Sequence, residues 1–324
     1  MHIRTDPFVL ALAGSVALAA IFPEAGTDDS PVPLQTISSA GISLIFFFYG
    51  LKLSPDKLRK GLANWKLHIV VQLSTFVLFP LLVLAAYPFL RGAEQHTLWL
   101  AVFFLAVLPS TVSSSVVMVS MAGGNIPAAI FNASLSGILG IIITPLWISP
   151  FLGPAQGSQD FGHIYSQLAF EVILPVITGI LLQKYAGRLA DRYGRQLSLF
   201  DKAIILIIVY RSFAKSFYSG LFSQIQWSDI AVLITVSLLL FGLVYGSIHL
   251  ICTALRFNRE DRITAVFCGS KKSLVHGTVM SKVLFSGAGI AGIVLLPLML
   301  YHAMQIFLVS IIASKMAGKS PQDR

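Results

Sequence analysis

Apolar residues run along this chain in blocks near twenty residues long, separated by short polar stretches, with no heptad, no strict alternation and no glycine triplet. A bilayer core about 30 Å thick is crossed by roughly 20 apolar residues in an α-helix. The pattern therefore predicts an all-α polytopic membrane protein, whereas an outer-membrane barrel would alternate over segments of about ten residues. Ten spans are predicted, at 7–23, 34–51, 67–90, 97–121, 126–152, 164–183, 203–222, 230–255, 263–285 and 290–314. The first ends in small residues, as a signal peptide does. Its basic start is thin, with Arg4 offset by Asp6, and Pro23–Glu24 suits a helix end, so it is read as a retained helix.

Composition agrees. The 324 residues are 56% hydrophobic and 11% charged, and mean hydropathy is +0.80. A soluble domain carries about a quarter of its residues as Asp, Glu, Lys and Arg, so too little charge is present to coat a water-facing surface. The net charge of +9 would suggest nucleic acid in a soluble chain, but here it belongs to cytoplasmic loops. Lys52, Lys57, Arg59, Lys60 and Lys66 share one loop, and Lys184, Arg188, Arg192, Arg195 and Lys202 another. Arg256, Arg259 and Arg262, the tail residues Lys315, Lys319 and Arg324, and Arg4 fall on the same side. The opposite segments carry Glu24, Asp28, Asp29, Glu94, Asp160 and Asp229, with Arg91 as their one basic residue. The positive-inside rule then places both termini in the cytoplasm. Cys252 and Cys268 make neither a metal spacing nor a disulfide framework and read as packing residues.

Ten helices divide into five and five, and an odd-numbered repeat must be inverted in the membrane. "AVLPSTVSSSV" at 106–116 and "AVFCGSKKSLV" at 265–275 fall at equivalent places in the two halves, residues 1–155 and 156–324. Both are poor transmembrane helix. Pro109 removes a backbone donor beside Ser110, Thr111, Ser113, Ser114 and Ser115, and Gly269 loosens the chain beside Ser270, Lys271, Lys272 and Ser273. Irregular backbone at this depth must face protein or a cavity. Paired interruptions are the sequence pointer to a transporter's binding site, although each alone also reads as a packing kink.

A charge at mid-membrane costs at least about 2.5–3.5 kcal/mol, so Lys271 and Lys272 are candidate substrate or ion ligands rather than snorkelling residues. His276, one turn beyond Lys272, reads either as a packing residue or as a proton relay. Asn132, Ser134 and Ser136 open the fifth span, and Asn132 and Ser136 share a face that can meet the serine break. Glu171 and Lys215 are predicted to form a structural ion pair, with Arg211 sharing the carboxylate or facing an anion, and Lys282 is read as snorkelling near a helix end. No catalytic constellation, phosphate loop or metal motif is present, so an enzyme is not predicted.

The cytoplasmic "YGLKLSPDKLRKGL", the broken "LPSTVSSSV", "SLSGILGIIITP" in the fifth span and "VFCGSKKS" in the ninth resemble the bile acid:sodium symporter superfamily over essentially the whole chain. The resemblance is closest to its bacterial branch of sodium-dependent transporters, which is similar to the seventh human member of that solute-carrier family. It implies ten transmembrane helices in two inverted five-helix repeats. It also implies a panel domain of spans 1, 2, 6 and 7, a core domain of spans 3–5 and 8–10, and helices 4 and 9 broken and crossing. It further implies alternating access of an organic anion coupled to Na+, without another cofactor. Carried over residue by residue, the family's Ser-Asn pair falls on Ser114 and Ser115, and its helix 3 glutamine on Thr75, with Gln72 nearby. Its carboxylate falls on Phe267 and its two amide ligands on Lys271 and Lys272, so sodium coupling does not carry over with the fold. The leading expectation is a secondary transporter of a small organic anion, with at least one of Lys271 and Lys272 standing in for sodium. The opposing reading keeps Na+ as the coupling ion, bound elsewhere by serine and backbone oxygens, with the lysines facing the anion. The alternative is a receptor or regulatory membrane protein that moves nothing.

Overall fold

A computed structural model describes residues 7–27, 30–53, 64–89, 92–152, 166, 169–220, 226–285 and 290–317. Arg4, Asp6, Asp28, Asp29, Lys57, Arg59, Lys60, Arg91, Asp160, Lys319 and Arg324 lie outside them. The described residues are helical, with turns and extended links and no strand. In chain order the helices are α1 (Pro7–Ile21), α2 (Leu34–Lys52), α3 (Trp65–Leu73), α4 (Phe79–Leu84), α5 (Ala93–Val107), α6 (Ser113–Met121) and α7 (Ile126–Ile148). There follow α8 (Leu174–Arg192), α9 (Gly194–Tyr218), α10 (Trp227–Ala254), α11 (Arg259–Gly269), α12 (Leu274–Leu284) and α13 (Ala291–Ala317).

Among the described residues, six segments are long and apolar enough to cross a membrane: Leu34–Lys52, Trp65–Phe89, Ile126–Phe151, Ala169–Arg192, Trp227–Ala254 and Ala291–Met316. The fourth and ninth predicted spans fall short because each is two half-helices, α5 with α6 and α11 with α12. The predicted loop 184–202 is corrected. α8 runs through Arg192 and α9 begins at Gly194, so its basic residues ride on helical extensions. α8 and α10 leave long apolar side chains uncovered by the chain, as at Leu181 and Leu250, each about 70% exposed. Lipid is the solvent that accommodates such faces.

The chain gathers into two compact units. One holds Met1–Ser54, Leu152–Trp227 and Gly277–Leu296. In it α2 and α8 pack backbone to backbone, because a Cβ on Gly50 would lie 2.3 Å from the Val176 carbonyl oxygen and one on Gly179 would lie 2.2 Å from that of Phe47. Any side chain at either position would force the helices apart, which is the small-residue packing that membrane helices use in place of a hydrophobic drive.

The other unit holds Pro55–Phe151, Ser228–His276 and Pro297–Arg324. Its centre is α5, whose residues from Trp99 through the break at Thr111 are all buried. Trp99 stacks on Phe103 at 4.8 Å, and Phe151 and Tyr87 pack edge-on or tilted around them. Between α3 and α4 the turn widens to a π-helix over Ser74–Leu78, which shifts the backbone pairing and leaves carbonyls to be satisfied from outside. The Trp147 indole donates to the Phe76 carbonyl at 3.0 Å.

Candidate functional site

The first interruption follows from Pro109. A residue before proline is pushed out of the helical region, and Leu108 is extended at φ −70°, ψ 151°. Stopping a helix in the interior orphans its last carbonyls, and every carbonyl from 106 to 109 finds a partner. Ala106 and Leu108 accept from the Lys272 ammonium, Val107 from the Thr144 hydroxyl at 2.8 Å, and Pro109 from the Ser273 amide at 2.9 Å. α7 supplies a stripe of residues four apart for this purpose. Thr144 takes the Val107 carbonyl, Gly140 seats the Pro109 ring (a Cβ there would lie 2.6 Å from Pro109 Cγ), and the Ser136 hydroxyl accepts the Ser110 amide at 2.9 Å.

The second interruption begins where α11 ends at Gly269 and is reconciled in the same way. The Ser110 hydroxyl donates to the Cys268 carbonyl and that of Ser115 to Phe267 at 3.4 Å. The Tyr301 hydroxyl donates to Ser270 at 2.7 Å, while the Ser270 hydroxyl turns back to Val266. Ser273 then caps α12, its hydroxyl accepting the His276 amide at 3.3 Å and pairing with His276 Nδ1 at 3.0 Å. The two breaks are thus stitched directly to each other.

Both lysines are completely buried, yet their surroundings differ. Lys272 Nζ lies 2.8 Å from the Thr75 carbonyl, 2.6 Å from Ala106 and 2.8 Å from Leu108, with the Phe79 ring centroid at 4.0 Å. Its backbone is held by Gln305, whose amide exchanges two hydrogen bonds of 2.9 Å with the Lys272 N–H and carbonyl. Lys271 Nζ donates to one described partner, the Ser114 hydroxyl at 2.9 Å. Ser114 in turn shares a hydrogen bond of 2.9 Å with Thr111, which also meets Ser115 at 2.8 Å.

Of the other residues singled out in the sequence, Thr75 contributes its carbonyl to this centre, since its hydroxyl is spent on Val71 at 2.8 Å. Asn132 joins Gln72, whose side-chain amide donates to both its carbonyl and its Oδ1 at 3.2 Å, one turn away from the break that Ser136 reaches. Ser134 is buried on α7. Ser113 begins α6, and its side chain lies outside the described set.

In the other unit Glu171 sits on a second π-helix, Ala169–Ile173, with Lys282 Nζ 3.8 Å from its carboxylate. The snorkelling expected of Lys282 is corrected. The side chain is 5% exposed and also donates to Ser39, because a buried carboxylate is a better partner than a distant interface. Arg211 lies within electrostatic reach of Lys282, and Lys215 stands one turn beyond Arg211 on α9.

Gln305, Tyr301, Thr144 and Gly140 were missed in the sequence. For Gln305 a signal existed, an amide in the middle of an apolar span. For the rest there was none, since small and aromatic residues are ordinary in membrane helices.

The model of the SBF-like CPA transporter family matches residues 6–318. An uncharacterized protein of Pseudomonas aeruginosa is 36% identical over 97% of this chain and 93% of its own length. A protein of Escherichia coli K12 named as a candidate symporter, YfeH, is 34% identical over 98% of this chain and 94% of its own. The sodium/bile acid cotransporter 7 of Danio rerio is 31% identical over 96% and 93%. With six apolar helices of membrane-crossing length among the described residues, this is an integral membrane protein, and the chain belongs to the SBF-like CPA transporter family.

Proposed function

We propose that this chain is a secondary transporter of a small organic anion, working by alternating access around the two helix breaks. The observation that carries the reading is Lys271, an ammonium group fully buried beside both breaks with a single described hydrogen-bond partner. An ammonium has three donors, so two remain for an anionic ligand. The half-helices α6 and α12 both begin at the breaks, and helix N-termini favour negative charge. Ser114 and Thr111 offer polar contacts around the same point, while Lys272 is spent on carbonyls.

Matched interruptions in the two halves support ten spans in two inverted five-helix repeats, 1–155 and 156–324. The grouping of α1, α2, α8 and α9 in one compact unit, and of α3–α7, α10 and α11 in the other, supports panel and core domains. The charge distribution supports cytoplasmic termini in an inner membrane. Transport, rather than signalling without flux, rests on the family to which the chain belongs.

Counterflow of radiolabelled organic anions in proteoliposomes tests the proposal. Saturable exchange that Lys271→Met abolishes is expected. Linear conductance would replace the carrier with a channel, and no flux for any anion in a broad screen would leave the regulatory reading standing instead.

A further inference from the structure

Lys272 Nζ fills a place built for a cation. Three main-chain carbonyls that the fold cannot pair elsewhere meet there. That of Thr75 faces Phe79, whose N–H goes to Ser74, and Pro80, which has no N–H. The end of α5 frees that of Ala106, and the extended backbone before Pro109 frees that of Leu108. All three lie within 2.6–2.8 Å of the nitrogen. The Phe79 ring closes the site with its face 4.0 Å away. Carbonyl oxygens that replace a hydration shell, and an aromatic face, are what a dehydrated monovalent cation takes. Three acceptors call for three N–H donors, which only the protonated amine supplies. The negative end of the α5 dipole lies on the same side.

The names of vertebrate relatives include sodium, and the residues here do not fit that ion. No Asp or Glu occurs in 106–116 or 264–276, no cluster of metal-ligating side chains exists among the described residues, and all three carbonyls accept from Lys272. We infer that Lys272 is a tethered cation, its ammonium occupying a monovalent-cation site so that no alkali ion is required there to hold the two breaks together. Deleting the side chain should turn the cage into a receptor for a small primary ammonium ion or K+. This holds whether or not the chain carries an anion.

The test is thermal unfolding of the purified full-length protein in detergent. For the unmodified chain, replacing choline chloride by NaCl or KCl is expected to leave Tm unchanged. A saturable rise in Tm with Na+ overturns the inference. Lys272→Ala removes the equivalent of n-propylammonium. Its Tm should drop, then recover saturably with n-propylammonium and more weakly with K+, but not with tetramethylammonium, which has no N–H and is too wide for the cage. A Lys272→Met protein as stable as the unmodified one also overturns the inference, since a neutral isostere leaves the carbonyls empty-handed. If Lys272→Ala does not fold, the sodium response of the unmodified chain and the Met variant still decide.

Discussion

Gln305, on α13, pairs with the backbone of Lys272 as one strand residue pairs with another. Its Oε1 accepts the Lys272 N–H and its Nε2 donates to the Lys272 carbonyl, both at 2.9 Å, and the same Nε2 meets His302 Nδ1 at 3.1 Å. Residues 271–273 lie between α11 and α12 outside any helix, so this one side chain stands in for two ladder bonds. A buried donor or acceptor left without a partner costs about 1–3 kcal/mol. Gln305→Leu, which orphans both, should therefore destabilise the protein by roughly 2–5 kcal/mol. Thermal unfolding in detergent reads this directly. Gln305→Leu with the Tm of the unmodified chain would show that the segment is held by other contacts.

The two lysines should separate stability from ligand handling. Lys272→Met leaves three buried carbonyls unmet, and Tm should fall as far as for Gln305→Leu or further. Lys271→Met removes a charge that has one described partner and is fully buried. Desolvating an unpaired ammonium is costly, so Tm should hold or rise while anion counterflow disappears. Equal loss of Tm in both variants would contradict this division.

What the sequence disclosed about this centre depended on the kind of atom involved. Lys271 and Lys272 were legible because a charge deep in a span is expensive whatever surrounds it. Pro109 and Gly269 announced their breaks through backbone chemistry alone. Ser136 was visible as a hydroxyl on the correct face of α7, but Gly140 and Thr144, one and two turns along the same stripe, were hidden in an apolar run. The partners of Lys272 are main-chain carbonyls, which no side chain at those positions advertises. Lys282 was misplaced because nearness to a helix end was weighed above a carboxylate that only folding brings within reach. The helix lengths failed around 184–202, where basic residues were read as loop although Lys and Arg are good helix formers.

Asp261 is a second centre that the sequence did not reveal. Asn64, Asn125 and Asn258 each cap a helix, α3, α7 and α11, through the side-chain oxygen. The free amides of Asn64 and Asn125 then donate to the two oxygens of Asp261 at 2.6 and 2.9 Å, and the Asp261 amide N–H is the group that Asn258 caps, at 2.7 Å. One carboxylate therefore orients two caps belonging to other helices. A cap is worth about 0.5–2 kcal/mol, so Asp261→Ala should cost roughly 2–4 kcal/mol. Asp261→Asn should not rescue it, because its own NH2 would confront one of the two donating amides. Tm values for the two variants check this, and full rescue by Asn would show that charge and acceptor count are unimportant here.

Asp201 gives stability a pH dependence. Burial raises its carboxyl above the ordinary value, and Lys52, 3.9 Å away, only partly offsets this. Its Oδ1 is buried without a hydrogen-bond partner among the described residues. A raised folded pKa means that the folded protein holds this proton more tightly than the unfolded chain does. The associated stability is fully present below the unfolded value, near 3.9, and is lost as pH rises through the folded value. Asp201→Asn should remove that slope and raise Tm at neutral pH, the difference vanishing in acid. A Tm series from about pH 4 to 8 on both proteins tests it, and an unmodified protein that gains stability with pH relative to Asp201→Asn would reverse the sign.

Glu171 and Lys282 should behave as a coupled buried pair. Breaking a buried ion pair by removing one partner typically costs about 3–5 kcal/mol, whereas replacing both by apolar groups of similar size is often close to neutral. Glu171→Gln leaves the Lys282 ammonium, 5% exposed, without its carboxylate and nearer in effect to the Arg211 charge. Lys282→Met leaves the carboxylate with less compensation in the same low-dielectric surroundings. Each single variant should therefore lose Tm. Adding Lys282→Met to Glu171→Gln should restore most of the loss, because the charge that Gln leaves exposed to repulsion is then gone. The readout is a double-mutant cycle on unfolding free energy. A coupling near zero, with the two losses simply adding, would mean that each side chain is stabilised separately, Lys282 by Ser39 and Glu171 by its other neighbours.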